Sequence, residues 1–391
     1  MQRFTLPRDL YYGDHAMDAL KTLRGHKRAM VVTGGSSMQK FGFLDQVIGR
    51  LSEVGIQVEL FAGVEPDPSV ETVMRGAKAM QAFEPDVIVA IGGGSPIDAA
   101  KAMWVFYEYP DKTFEDIKEP FTMPKLRQKA LFVAIPSTSG TATEVTAFSV
   151  ITDYSTKIKY PLADFEITPD IAILDPDIAQ TMPASLVADT GMDALTHAIE
   201  AATASLRSAF SDPLALKAIS MIFDDLADSY HGDTRARGRM HIAQCLAGMA
   251  FSNALLGITH SLAHKMGAQF GISHGRCNAV LLPYVIAYNA REPQALAVYA
   301  DIARELRLPG QSETQLMHAL IHEIRRLSQA VQIPHTLVDC GVTQETFDNH
   351  AKDIAHFAQL DPCTGSNPRK STEADLYRLL TCAYCGTPVA F

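Results

Sequence analysis

The sequence predicts an α/β domain built on a parallel sheet, followed by a second domain made only of helices. Three observations carry this prediction. Over the first half, short β-branched runs alternate with helical stretches, the pattern of a parallel sheet flanked by helices. From Pro183 onward alanine, leucine and methionine dominate and the β-branched runs stop. At 391 residues the chain is long enough for two hydrophobic cores. The change of character falls within Asp175–Pro183 (DPDIAQTMP), so we divide the chain into 1–180 and 181–391.

Taken in order, Arg28–Thr33 (RAMVVT) reads as a strand and Phe41–Val54 as the helix after it. Ile56–Phe61 (IQVELF) is the next strand and Ser69–Phe83 the next helix. Val87–Ile91 (VIVAI) is continuously apolar, as in a sheet covered on both faces. A helix from Pro96 to Phe106 follows, then strands at Leu131–Ile135 and Ile171–Leu174. In the second half the helical period suits 183–230, 235–265, 293–307, 313–331 and 372–384. Internal repeats and low-complexity tracts are absent.

Composition narrows the function classes. Hydrophobic content of 47% and charged content of 20% suit an ordinary globular enzyme. A net charge of -10 argues against nucleic acid or an anionic membrane as partner. No apolar run approaches the ~20 residues of a spanning helix, and MQRFTLPRDLYYGDH lacks a signal-peptide core, so we expect a cytoplasmic protein. The cysteines (245, 277, 340, 363, 382 and 385) are too scattered for a disulfide framework. Cys382 and Cys385 form a C-x-x-C in an apolar segment without a second such pair, which reads as small buried residues on a terminal helix.

Two polar runs interrupt the α/β half. Ile91-Gly92-Gly93-Gly94-Ser95-Pro96-Ile97-Asp98 joins a buried strand to a helix. Its glycines allow a sharp turn and close approach to a ligand. Ser95 suits the N-cap, Pro96 the first helical position and Asp98 the third, resembling a capping box. The free N–H groups of such a helix start make a seat for phosphate. Pro136-Ser137-Thr138-Ser139-Gly140-Thr141 follows another strand and would line the same carboxyl edge of the sheet. Neither run matches G-x-G-x-x-G, so the expectation is a phosphate-bearing ligand, with a dinucleotide plausible from domain size. The end of the first strand, Thr33-Gly34-Gly35-Ser36-Ser37, has no carboxylate to repel a 2′-phosphate, which leaves room for NADP(H).

The helical half carries a different signal. Asp193 and His197 are four residues apart, as are His260 and His264, and His274 follows closely. On helices each pair shares a face, and two such faces would offer oxygen and nitrogen donors to one divalent cation. Asp193 stands in an apolar context (TGMDALTHAIEA), where burial without a partner would be costly. Only four of the five are needed if a position stays open for substrate, and spacing does not choose among them. The other histidines show no such grouping. Without a thiolate in the set, Fe(II) and Zn(II) fit equally.

At these residues the chain resembles the iron-containing (group III) alcohol dehydrogenases over essentially its full length. The motifs are Gly92–Ser95 with Asp98, Pro136–Thr141, Gly191–His197 through Glu200, and Gly257–His260 through His274-Gly275. The N-terminal part (FTLPRDLYYG, GGSSM, KFGFLD, FEPDVIVAIGGGSPIDAAKAMW) is similar to NADPH-dependent butanol dehydrogenases of that family. The resemblance implies a Rossmann-like dinucleotide-binding domain followed by an all-α metal-binding domain. It assigns Asp193, His197, His260 and His274 as metal ligands, iron by preference, and His264 as the histidine beside the nicotinamide and reacting carbon. It places Gly34, Gly35, Ser36, Gly92, Gly93, Gly94, Ser95, Asp98, Thr138, Ser139, Thr141 and Lys159 at the cofactor, and Phe251 and Cys363 in the substrate pocket. It further implies a homo-oligomer. The expected reaction is hydride transfer between NADP(H), or NAD(H), and a small aliphatic alcohol or aldehyde such as butanol or butanal. His264 would relay the proton. The alternatives are an NAD(H)-dependent polyol or diol dehydrogenase, a dehydroquinate-synthase-like lyase, and a metallohydrolase whose glycine turn holds a substrate phosphate.

Overall fold

The computed structural model describes residues 3–155 and 158–391. The chain falls into two compact units, the first ending at Met182 and the second starting at Pro183.

Among the described residues the first unit has eight strands: β1 (Asp9–Tyr12), β2 (Arg28–Thr33), β3 (Gln57–Phe61), β4 (Val87–Gly92), β5 (Leu131–Pro136), β6 (Phe148–Asp153), β7 (Ile158–Ala163) and β8 (Ile171–Leu174). Six of them form a parallel sheet in the order β1-β8-β5-β4-β2-β3, while β6 and β7 pair as an antiparallel hairpin. The helices are α1 (Ser37–Lys40), α2 (Phe43–Glu53), α3 (Val70–Phe83), α4 (Gly94–Glu108) and α5 (Pro176–Ala179). Because strand side chains alternate between faces, the sheet splits the core into two layers. Val31, Val89, Ile91, Val133 and Ile173 pack against Leu44, Val47 and Leu51 of α2. Met30, Val32, Ile88, Ala90, Phe132 and Ala134 pack with Ala77 and Met80 of α3 and Trp104 of α4.

Three local expectations need correction. The edge strand β1 and the β6–β7 hairpin add to the predicted strands, β1 pairing parallel with β8 of its own chain. The helix expected over Phe41–Val54 is α2, which starts at Phe43 after Gly42 with φ +77, and the short α1 precedes it. Third, α4 starts at Gly94 with Gly93 as its N-cap and no side-chain cap, so Ser95 and Asp98 form no capping box.

The second unit is helical: α6 (Ala184–Thr203), α7 (Ser211–Tyr230), α8 (Thr234–Ala254), α9 (Ile258–Phe270), α10 (His274–Asn289), α11 (Pro293–Glu305), α12 (Glu313–Ala330), α13 (Gln344–Gln359) and α14 (Glu373–Cys385). The stretch 183–230 is two helices, because the chain leaves α6 at Ala204, whose φ and ψ are -60° and 153°. The stretch 235–265 is also two helices, broken at Leu255, where φ is +69. That break turns the chain by 108° between α8 and α9. On α14 Cys382 is buried as expected, whereas Cys385 is exposed; both thiols are free. Among the described residues no single helix is long and apolar enough to cross a membrane.

Candidate active site

In the first unit the predicted polar runs come together at one edge of the sheet. β5, β4 and β2 are neighbours, so the loops after Thr33, Gly92 and Pro136 lie side by side at their carboxyl ends. The chain runs from β2 outward to β3 and then crosses back to β4 on the other side of β2, which makes the switch point at which open α/β sheets bind ligands. Gly92 has φ +144, and a Cβ there would meet Pro96 Cγ at 2.6 Å. A Cβ on Gly94 would stand 3.2 Å from Thr141 Cγ2, and one on Gly93 would stand 3.4 Å from Thr138 Cγ2. Glycine therefore lets the turn press against the second polar run. Thr138 Oγ1 is buried without a hydrogen-bond partner among the described residues. With no side-chain cap on α4, the turn offers free N–H donors, and this hydroxyl adds to them. Both suit a phosphate-bearing cofactor.

Two of the residues carried over to the cofactor point elsewhere. Asp98 accepts from Thr143 Oγ1 through one carboxylate oxygen and from Val150 N, at 3.0 Å, through the other. It braces the β6–β7 hairpin against α4 instead of presenting a free carboxylate to a ligand. Lys101, buried one turn later, donates to the carbonyls of Thr146 and Phe148, each at 2.8 Å. Burial pulls its ammonium down to about 8. Lys159 on β7 pairs with Asp67 at 2.8 Å.

In the second unit two glycines bring three helices into near contact. A Cβ on Gly257, the N-cap of α9, would meet Asn367 Oδ1 at 2.7 Å and Glu200 Oε1 at 2.9 Å. At Gly275, in the first turn of α10, it would stand 2.1 Å from the Asp189 carbonyl oxygen of α6. The backbones of α9 and α10 thus reach α6 where a larger residue would hold them off. Glu200 fills the resulting corner. Its Oε1 accepts from Thr259 N at 2.8 Å, capping the positive end of α9, and its Oε2 meets His260 Nδ1 at 2.6 Å.

The result is a group of converging lone pairs, with Asp193 and His260 buried and His274 at the exposed side. Asp193 Oδ1 is 3.7 Å from His260 Nε2 and 3.6 Å from His274 Nε2. Ligand atoms bound tetrahedrally at ~2.1 Å lie ~3.4 Å apart, so the spacing fits a divalent metal. Asn278 Nδ2 faces the same three atoms at 2.7, 3.1 and 3.2 Å. His197 stacks on His260 with ring centroids 4.5 Å apart, and on its other side Phe251 stacks at 4.3 Å. It therefore adjoins the group, although Asp193, His260 and His274 are the three that share one set of close ligand atoms. Burial works to raise the Asp193 carboxyl, but the charges of His197, His274 and His260 override it and hold it well below the usual range. Burial works to lower His260, yet Asp193 and Glu200 raise it to about 9. Two carboxylates facing one imidazole make a pocket that favours positive charge, which a divalent cation supplies.

His264 lies beside this group. Its ring is 5.9 Å from that of His260 and stacks with that of His274 at 5.4 Å. Its Nδ1 meets Asp361 Oδ2 at 3.1 Å, and Lys265 Nζ reaches the same oxygen at 3.0 Å. Cys363 belongs to this cluster, its thiol raised well above the ordinary value by burial and the Asp361 charge. Lys265, Asp361 and Asn278 escaped the sequence reading. Asp361-Pro362 carries a helix-start signal that marks a cap, and nothing in its context points to a histidine 97 positions away.

The family described as iron-containing alcohol dehydrogenase matches residues 7–176, and its C-terminal counterpart matches residues 187–384. The chain belongs to the iron-containing alcohol dehydrogenase family. This dehydrogenase is 59% identical over 391 residues to the NADPH-dependent butanol dehydrogenase of Clostridium saccharobutylicum, with both chains covered completely. It is 42% identical to the aldehyde-alcohol dehydrogenase of Streptococcus pneumoniae over 99% of its own length, spanning 46% of that longer protein. Among solved structures, the iron-containing alcohol dehydrogenase of Thermococcus thioreducens superposes with a TM-score of 0.90 at 36% identity, covering 98% of this chain and 100% of that one. A 1,3-propanediol oxidoreductase gives 0.92 at 34%, with the same coverage. The dehydrogenase family leaves the lyase and metallohydrolase alternatives without support.

Proposed function

We propose that this dehydrogenase transfers a hydride reversibly between NADP(H) and a small aliphatic primary alcohol or its aldehyde, of the butanol and butanal class. The observation that carries the reading is the meeting of the buried Asp193 and His260 with the exposed His274, with Glu200 behind His260 and His264 beside it. Asp193, His197, His260 and His274 would hold the cation, Fe(II) by family and Zn(II) by donor chemistry. When bound, the ion supplies Lewis acidity toward the substrate oxygen, and the nicotinamide supplies or accepts the hydride.

The chain's own residues do the rest. Gly92, Gly93 and Gly94 and the first N–H groups of α4 bind phosphate, with Ser95, Thr138, Ser139 and Thr141 beside them. Gly34, Gly35 and Ser36 give no carboxylate at the end of β2, which favours the 2′-phosphate of NADP(H), as does the name of the NADPH-dependent relative. Asp98 acts through the hairpin it braces. Lys159 remains a cofactor contact only if it exchanges Asp67 for a phosphate. Phe251, packed on His197, and Cys363, next to Asp361, line the alcohol side. His264 Nε2 takes the hydroxyl proton on oxidation and returns it on reduction.

The test is anaerobic protein loaded with Fe(II), mixed with butanal and NADPH, and followed by nicotinamide absorbance. Oxidation of NADPH is expected, faster than that of NADH. No oxidation with any short aldehyde overturns the reading.

A further inference from the structure

We propose that Asp361 is the positioning residue for His264: it fixes the imidazole with hydrogen on Nδ1 and leaves the Nε2 lone pair to accept the substrate proton. The inference rests on the reading of His264 as the proton relay and extends it to a residue 97 positions away.

The argument starts from the bonds at one carboxylate. Asp361 is 5% exposed. Its Oδ1 accepts from Cys363 N at 3.1 Å, the N-cap bond of the short helix Pro362–Ser366. Its Oδ2 faces His264 Nδ1 at 3.1 Å and Lys265 Nζ at 3.0 Å. Burial works to raise the Asp361 carboxyl, but His264 and Lys265 hold it well below the ordinary range, so it is ionised and can only accept. Nδ1 must then be the donor, and in a neutral ring the lone pair falls to Nε2. The side-chain group of His264, Asp361 and Cys363 also has the spacing of a metal site. The Lys265 ammonium already supplies the positive charge there, and burial keeps the thiol protonated, so the dyad is the better reading.

Capping alone does not account for this arrangement. An N-cap needs one oxygen, and asparagine or serine caps as well as aspartate. The second oxygen, buried and shared between two cationic-capable partners, has no capping task.

That separation supplies the test. Asp361→Asn keeps the cap through its amide oxygen but turns an NH2 donor toward Nδ1, favouring the tautomer with hydrogen on Nε2. We expect kcat to fall by on the order of 10²–10⁴-fold, with metal content kept and KM for aldehyde and NADPH within about 3-fold. Asp361→Ser, which caps but does not reach the ring, should give a loss of the same order and stands in if the asparagine variant misfolds. In ¹⁵N-histidine spectra of the Zn(II)-loaded protein, the resonance that vanishes in His264→Ala should report the Nδ1–H tautomer. In Asp361→Asn it should report the Nε2–H tautomer. In the His264→Ala background, Asp361→Asn should cost nothing further.

Three results overturn the inference: kcat within 3-fold of wild type in both variants, an equal loss with and without His264, or an unchanged tautomer. If instead His264→Ala leaves kcat intact, the proton-relay reading itself has failed, and the two failures are told apart.

Discussion

Gly275→Ala asks whether the close approach of α10 to α6 is what assembles the ligand group. A Cβ at this position would stand 2.1 Å from the Asp189 carbonyl oxygen, 2.7 Å from its carbon and 3.2 Å from Asp193 Cβ. The obstructing atoms are mainly backbone, so no rotamer change relieves the clash. A carbon and a carbonyl oxygen settle at ~3.3 Å, which requires the first turn of α10 to retreat by ~1 Å. His274 sits one residue earlier and moves with it, stretching its 3.6 Å separation from Asp193 Oδ1 toward ~4.6 Å. A set of ~2.1 Å bonds does not span that gap. Overpacking of this kind costs ~1–3 kcal/mol, which for a unit of roughly 200 residues lowers Tm by about 2–12 °C. Loss of one ligand should weaken metal binding by tenfold or more, equivalent to at least ~1.4 kcal/mol. The assay is thermal melting, with metal analysis after anaerobic Fe(II) loading and dialysis. An alanine variant that keeps one equivalent of iron at wild-type affinity would refute the reasoning.

Other expectations concern separate parts of the molecule. Thr138→Val removes the unpartnered buried hydroxyl beside the glycine turn, so Tm should hold or rise slightly while KM for NADPH climbs about tenfold or more. Steady-state kinetics with NADPH varied checks this, and an unchanged KM would remove Thr138 from the cofactor seat. His241 on α8 is 1% exposed, and burial lowers its pKa to about 4 from an ordinary 6.5. The unfolded chain binds this proton first as pH falls, so the stability is complete above 6.5 and drains away toward 4. The loss is about 3 kcal/mol. His241→Gln should flatten the fall of Tm between pH 7 and pH 4.5; a fall as steep as wild type would contradict it.

Legibility in the sequence followed the range of the interaction that decides each feature. β4 and β5 were plain because burial on both faces demands an unbroken apolar run. β1 was not: DLYY is four residues long and half-exposed, and it is a strand because β8 lies beside it. The β6–β7 hairpin hides behind Pro161, which sits opposite Val150. The break at Leu255 was invisible because a leucine at φ +69 violates the local preference that a sequence reading relies on. Yet that break sets α9 at its angle and aims His260. The five candidate donors were legible through their i, i+4 spacing and close grouping, although only the family resemblance sorted ligands from His264; Asn278 and Asp361 were not legible, because contacts across the fold select them. The supposed capping box failed for a related reason: Asp98 accepts from Thr143 and from Val150 of the hairpin instead of from its own helix start.

Glu200 has a consequence for how the centre opens. One carboxylate ties down the Thr259 N–H in the first turn of α9 and the back of the His260 ring at once. Fraying of that helix end and release of the imidazole are therefore a single motion with a single barrier. Loss of an ion held by His260 is then expected to be a local unfolding event, in step with amide exchange at Thr259 rather than with side-chain rotation alone.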